Sequence, residues 1–265
     1  MNRLRSDDAE IAYEIVGDGP PVLLLHPFPV NHEFWKPVAG ALSSRYRLIL
    51  PDLRGHGESD VGSGLATMDK HARDLARVLD DAKAPRVVFV GASIGGYAFF
   101  AFWKQFRERV RAVVLSNTKV QADTPDARAG RLRSADDAMQ KGTEPFFESM
   151  VPKLLGKTTI ETRPDLVDGA LRMMRKMSPE DVAQVQRGMA DRPDSMPVLK
   201  TINVPAVLIT GDEDVSTGPP EAELMQRNIV GSEMKIVRRA GHYAAWEQPE
   251  EVGSLLRQFL DRISH

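Results

Sequence analysis

Ser93 stands in the run Gly91-Ala92-Ser93-Ile94-Gly95, which fits Gly-x-Ser-x-Gly. The run follows an uncharged β-branched and aromatic segment, residues 87–90, and precedes residues 94–106, which read as a helix. A residue at the apex of a sharp strand-to-helix turn is held in strained backbone geometry, and glycines on either side let the two elements approach closely. The Ser93 hydroxyl is therefore expected at the sheet's edge. The Ile94 N–H, at the start of the helix, is expected to favour an oxyanion. A serine hydroxyl is a weak nucleophile at neutral pH and needs a base. The six histidines are His26, His32, His56, His71, His242 and His265. His242 lies in Arg239-Ala240-Gly241-His242-Tyr243, a loop just after the last apolar strand, from which it can return to the edge beside Ser93. His71, inside an amphipathic helix, and His265, the final residue, are expected to be solvated. A third group must orient the base. Asp214, deep in the acidic loop after residues 204–210, is the expected one. Asp212 is the alternative, although a turn-forming role suits it better. The loop after residues 111–116, with Asn117 and Asp123, is a second place from which the acid could come.

These residues need a scaffold that brings distant loops to one edge. Residues 22–116 alternate strand and helix: strands near 22–25, 47–50, 87–90 and 111–116, with a helix over 67–82 whose Met68, Ala72, Leu75 and Leu79 share a face. Residues 11–16 and 22–25 read as a strand pair across the Gly17–Pro21 turn. The alternation implies a mostly parallel sheet flanked by helices, an α/β class. From 118 to 197 no strand is visible, only helical segments and prolines, with basic and acidic residues in equal number and most of the methionines. The alternation resumes at Val204, and Pro249 opens a final helix with Val252, Leu255, Leu256 and Phe259 facing inward. The expected organisation is a core of residues 1–117 and 198–265 with a helical cap of 118–197 laid over the carboxyl edge of the strands, where ligands bind in such sheets.

Composition removes several alternatives. With 265 residues, 42% of them hydrophobic, the chain can bury a sizeable core. The formal net charge of −2 offers no electrostatic basis for nucleic acid or an anionic membrane. No cysteine is present, which excludes disulfides, Cys-ligated metals and a Cys nucleophile. Residues 87–103 carry no charge, but the glycines at 91, 95 and 96 make them strand, turn and helix, not a membrane span. Residues 1–10 alternate charged and small side chains without an apolar segment, so no secretory leader and a cytoplasmic location are expected.

With Ser93, Asp214 and His242 in that order, the chain resembles the α/β-hydrolase fold family along nearly its whole length. Leu25-His26-Pro27-Phe28-Pro29 is similar to the family's oxyanion loop, usually His-Gly-x-Pro, with Pro27 in place of the glycine. By that match the Phe28 N–H is the second oxyanion donor and His26 a structural loop residue. Asp52-Leu53-Arg54-Gly55-His56-Gly57-Glu58-Ser59 resembles the family's Asp-x-Arg-Gly-x-Gly-x-Ser loop, which implies architectural roles for Asp52 and His56. The segments at 115–118 and 122–125 are similar to the 3-oxoadipate enol-lactonase and small carboxylesterase subgroup. A serine at 93 departs from the aspartate of haloalkane dehalogenases.

The implied reaction is transfer of an acyl group from a small ester or lactone to water through an acyl-enzyme, with no metal or organic cofactor. Cofactor-free perhydrolases, haloperoxidases and carbon–carbon bond hydrolases run on the same constellation, and a non-catalytic ligand sensor is the alternative of another class. The expected pocket is apolar, formed by Phe28, Trp103, Phe146, Phe147, Met150, Met173, Met177 and Trp246, with neighbours such as Leu154 and Met174. Arg128 or Arg131 could supply a single partner for an anionic lactone. The expected partner is that small molecule alone, and a homodimer is compatible with the sequence.

Overall fold

Short apolar runs that are continuous rather than alternating must be covered on both faces. The computed structural model, which describes residues 1–263, places five of them at the centre of one eight-stranded sheet. The strands are β1 (Asn2–Ser6), β2 (Ala9–Val16), β3 (Pro21–Leu25), β4 (Arg47–Pro51), β5 (Val87–Ala92), β6 (Val110–Ser116), β7 (Ala206–Gly211) and β8 (Glu233–Val237), in the spatial order β1-β2-β4-β3-β5-β6-β7-β8. From β4 to β8 every neighbouring pair is parallel, while β1 and β2 are antiparallel additions at one edge. His265 lies outside the described residues.

Helices follow the strands. They are α1 (Lys36–Leu42), α2 (Met68–Asp81) and α3 (Ile94–Phe106), then α4 (Pro125–Lys141), α5 (Glu144–Leu154), α6 (Lys157–Thr162), α7 (Pro164–Met174), α8 (Pro179–Ala190) and α9 (Met196–Leu199), and finally α10 (Pro219–Asn228), α11 (Ala244–Glu247) and α12 (Pro249–Ile263). The starts follow local chemistry: Thr67 accepts from the Lys70 amide and Ser178 forms a capping box with Asp181. Between β6 and β7 the chain forms helices joined by loops and no strand, and α4 packs along α8. No helix of the described residues is long and apolar enough to cross a membrane.

One expectation about the N-terminal part is corrected. Strands β2 and β3 do not pair, because β4 lies between them: β2 runs antiparallel to β4, with Tyr13 opposite Pro51, and β3 runs parallel to β4, with Pro21 opposite Arg47. Gly17, at φ +77°, packs against the backbone carbonyls of Ser43 and Tyr46 on the approach to β4, so the turn crosses that approach and does not close a hairpin. The charged start of the chain is an edge strand, β1. Edge strands keep one side in water and need little apolar content.

His71 is the second correction, since it is fully buried instead of solvated. It falls between Met68 and Leu75 on the inward face of α2, which packs on α3 and β1. Neither ring nitrogen has a hydrogen-bond partner among the described residues. Burial, the first cause, holds its pKa well below the usual histidine value. The unfolded chain therefore takes up the proton first. The fold is thus unaffected by this ring's titration above about pH 6.5 and loses stability as the pH falls below it. Replacing His71 with Leu is expected to stabilise the fold by about 1–2 kcal/mol at neutral pH by removing unpaired polar atoms, and by more in acid. Urea melts at pH 7 and pH 5 measure this, and a loss of stability at both values contradicts it.

Candidate active site

Strand β5 ends at Ala92 and α3 begins at Ile94, so Ser93 alone makes the turn. Its backbone sits at φ 52° and ψ −111°, a region costing a non-glycine residue about 1–3 kcal/mol. Surrounding bonds hold it there: the Ser93 amide donates to the Ser116 carbonyl at 3.0 Å, and the Thr118 hydroxyl donates to the Ser93 carbonyl at 2.8 Å. The flanking glycines are required by space. A Cβ on Gly91 would stand 2.6 Å from the Gly95 carbonyl oxygen, and one on Gly95 would stand 2.8 Å from the Leu25 Cβ. Ile94, as the first residue of α3, carries one of the helix's unpaired amides.

His242 arrives from the loop after β8 and Asp214 from the loop after β7. The His242 Nδ1 lies 3.0 Å from the Asp214 Oδ2. With Nδ1 so engaged, Nε2 is the ring nitrogen left for another partner. The Asp214 carboxylate is held from every side. Its Oδ1 accepts from the amides of Ser216 at 2.8 Å and Thr217 at 2.9 Å, and its Oδ2 accepts from the Asn117 side-chain amide at 3.0 Å and the Thr217 hydroxyl at 2.9 Å. Burial alone would raise its pKa, but the charge and hydrogen bond of His242, with those of Asn117 and Thr217, hold it well below the usual carboxylate range.

The other acids are placed elsewhere. Asp212 is exposed and reaches the Arg238 guanidinium at 3.4 Å. Asn117 braces Asp214 and also donates to the Gly241 carbonyl at 3.1 Å. Asp123 is buried among Arg131 at 2.6 Å, Arg192 at 2.8 Å and Lys119 at 3.6 Å.

Phe28 stands on the loop after β3. His26 braces that loop: its Nε2 accepts from the Leu53 amide at 2.9 Å, which leaves Nδ1 to donate to the Pro27 carbonyl at 2.9 Å. Burial first, and then the neighbouring His56, push the His26 pKa down to about 3, so this tether stays neutral. The Phe28 carbonyl accepts from the Tyr243 hydroxyl at 3.0 Å, tying the loop to the segment that carries His242. Asp52 accepts from the amides of His32 and Glu58, at 2.7 and 2.9 Å, and takes no part in the cavity wall described next.

Ser93 and His242 open on one cavity of about 210 Å³ that Phe28, Met150, Leu154 and Met189 also line. Helices α5 and α8 thus cover the sheet edge that carries Ser93. The pocket expectation needs correction. Trp103 donates its indole N–H to Thr201 at 2.9 Å and lines a separate recess with Lys104 and Pro197. Met173, Met177 and Phe147 are buried in packing. Trp246 donates to the Leu166 carbonyl and lies against Gly169. The Phe146 ring is tilted against that of Phe28 at 6.0 Å and is not among the residues lining the cavity. Methionines and aromatics in a helical insertion mark its own core as readily as a ligand wall, and spacing alone does not separate the two.

The cavity is not wholly apolar either, because Tyr97, Lys119, Arg131, Ser216 and Thr217 line it. Tyr97 was findable, standing one helical turn beyond Ser93. Lys119 was hidden by the balanced charge count of the insertion. Among the described residues, no group of three or more His, Asp and Glu side chains is arranged to hold a metal ion.

Residues 20–249 match the family described as alpha/beta hydrolase fold. The chain belongs to the alpha/beta hydrolase family. It is 25% identical to 3-oxoadipate enol-lactonase 2 of Acinetobacter baylyi over 263 residues, which cover 98% of this hydrolase and 97% of that protein. A thermophilic esterase from Thermogutta terrifontis, solved with malate bound, is 35% identical and superposes with a TM-score of 0.95 over 99% of both chains. The enol-lactonase from Burkholderia xenovorans shares the fold, with a TM-score of 0.91 at 23% identity over 98% of this hydrolase and 100% of that chain.

Proposed function

We propose that this alpha/beta hydrolase is a serine hydrolase that cleaves small carboxylic esters or lactones through an acyl-enzyme. The observation that carries the reading is one cavity shared by Ser93, on a strained turn, and His242, whose Nδ1 is bound to a buried carboxylate. His242 Nε2 takes the Ser93 proton as the oxygen attacks the carbonyl carbon. Asp214 fixes the tautomer and stabilises the imidazolium. The amides of Phe28 and Ile94 receive the oxyanion, at about 3 kcal/mol per donor. Collapse of the tetrahedral adduct breaks the ester C–O bond, and His242 returns its proton to the leaving alkoxide. Water, deprotonated by His242, then attacks the acyl-Ser93 carbonyl and regenerates the hydroxyl. The esterase and enol-lactonase relatives support the reaction class.

The charge around the cavity narrows the substrate. Lys119 and Arg131 line it, and they share a single carboxylate, Asp123, with Arg192. Three cations on one anion leave positive charge that a substrate carboxylate would neutralise, so esters or lactones bearing a carboxylate are the preferred class. A relative solved with malate and one named for a 3-oxoadipate lactone agree with this chemistry.

One experiment tests both statements. A fluorophosphonate probe should label wild-type protein at Ser93, and the p-nitrophenyl monoester of succinic acid should exceed p-nitrophenyl butyrate in kcat/KM by about tenfold or more, the worth of a charged hydrogen bond. That ratio should fall toward one in Arg131→Gln. A folded wild type that takes no label overturns the serine mechanism. Equal use of both esters, with labelling intact, overturns the anionic preference alone.

A further inference from the structure

A second cavity, of about 140 Å³, lies beside the first and reaches solvent, with the buried Met68, Phe100, Ala101 and Val120 and the exposed Asp69, Lys104 and Asp191 among its walls. Tyr97 lines both cavities. Its ring is buried, and the Arg192 guanidinium stacks over it at 4.2 Å from the ring centroid. Arg192 is itself pinned, donating to the carbonyls of Met189 at 3.0 Å and Gln121 at 3.1 Å and to the Asp123 carboxylate at 2.8 Å. The boundary between the cavities is therefore a ring clamped by a guanidinium with three fixed partners. A stacked cation of this kind resists displacement more than an apolar neighbour would.

We infer that Tyr97, held by Arg192, is the partition that limits the length of substrate, and that the second cavity is a subsite for an apolar chain walled off from Ser93 by it. The inference rests on the ester-hydrolase reading and adds to it a specificity-determining residue and the chemistry of the space behind. Met68, Phe100, Ala101 and Val120 offer hydrocarbon to an alkyl tail on the buried side of this mixed wall. Ser93 and Tyr97 line the same cavity, so the Tyr97 ring stands in the way of a chain that runs from Ser93 toward the second cavity. With the partition in place, carbons beyond the first few gain nothing. With it removed, each buried methylene is worth about fourfold in kcat/KM.

The test compares kcat/KM for p-nitrophenyl octanoate and butyrate in wild type, Tyr97→Ala, Tyr97→Leu and Met68→Ala. The octanoate-to-butyrate ratio should rise about tenfold or more in Tyr97→Ala and by less in Tyr97→Leu, which leaves part of the wall. It should stay within about twofold in Met68→Ala, because enlarging a cavity walled off from Ser93 offers the substrate nothing. Arg192→Met, which loosens the clamp, should raise the ratio less than Tyr97→Ala does. An unchanged ratio in both Tyr97 variants, each still labelled at Ser93, overturns the partition. So does a rise in Met68→Ala equal to that in Tyr97→Ala. A wild type that neither takes the label nor cleaves either ester overturns the ester-hydrolase reading itself, and the inference falls with it.

Discussion

His242→Ala should lower kcat for a short ester by about 10⁴–10⁶-fold while leaving KM within a few-fold of wild type. Without the imidazole, Ser93 must attack as a neutral alcohol and the leaving alkoxide departs unprotonated, so both steps lose their proton carrier. No other histidine among the described residues can take over. His26 is held between Leu53 and Pro27, His32 lies against Asp52, and His56 and His71 are enclosed elsewhere. Binding is largely spared because most of the cavity wall is contributed by other residues. Steady-state kinetics beside the rate of fluorophosphonate labelling measure the effect, and retention of a tenth of wild-type kcat would remove His242 from the mechanism.

Asp214→Asn should cost about 10⁴-fold in kcat, and it should also destabilise the fold. All the neighbours of this carboxylate are donors: the Ser216 and Thr217 amides on one oxygen, and Asn117, the Thr217 hydroxyl and His242 Nδ1 on the other. An asparagine must turn its NH₂ toward one set or the other. If it faces His242, the ring shifts to the wrong tautomer. If it faces the amides, two backbone donors are left opposed by another donor, at about 1–3 kcal/mol. The paired Asp212→Asn change, at an exposed side chain, should alter kcat by less than about twofold. Equal effects at the two positions would reverse the assignment. The depressed pKa of Asp214 has a consequence of its own: its contribution to stability is present above the usual carboxylate pKa, near 4, and is lost as the pH falls below it.

The Ser93 turn was readable because its chemistry is local. A buried strand, a helix and glycines within a few residues leave the chain one way to pass, and the backbone at φ 52° follows from that crowding. Asp214 and His242 were readable as loop residues after successive strands of a parallel sheet, since such loops all emerge at one edge. The contact between them, and the role of Asn117 in bracing the acid, could not be read. They depend on how far each loop extends beyond its strand.

By itself the sequence determined the alternation of strand and helix, the helical character of the segment between β6 and β7, the residue at the strained turn and the order of the three polar groups. Each of these follows from periodicity, capping or turn geometry over a few neighbouring residues. Only the tertiary structure decided that β4 separates β2 from β3, that His71 is enclosed, that Trp103 and Trp246 pack away from Ser93 while Tyr97 stands beside it, and that three cations gather on Asp123. An apolar run shows that a segment must be covered but not by which partner, and a balanced charge count is the same whether the charges are scattered or gathered. Those outcomes are set by contacts between residues far apart in the chain, which composition and spacing do not record.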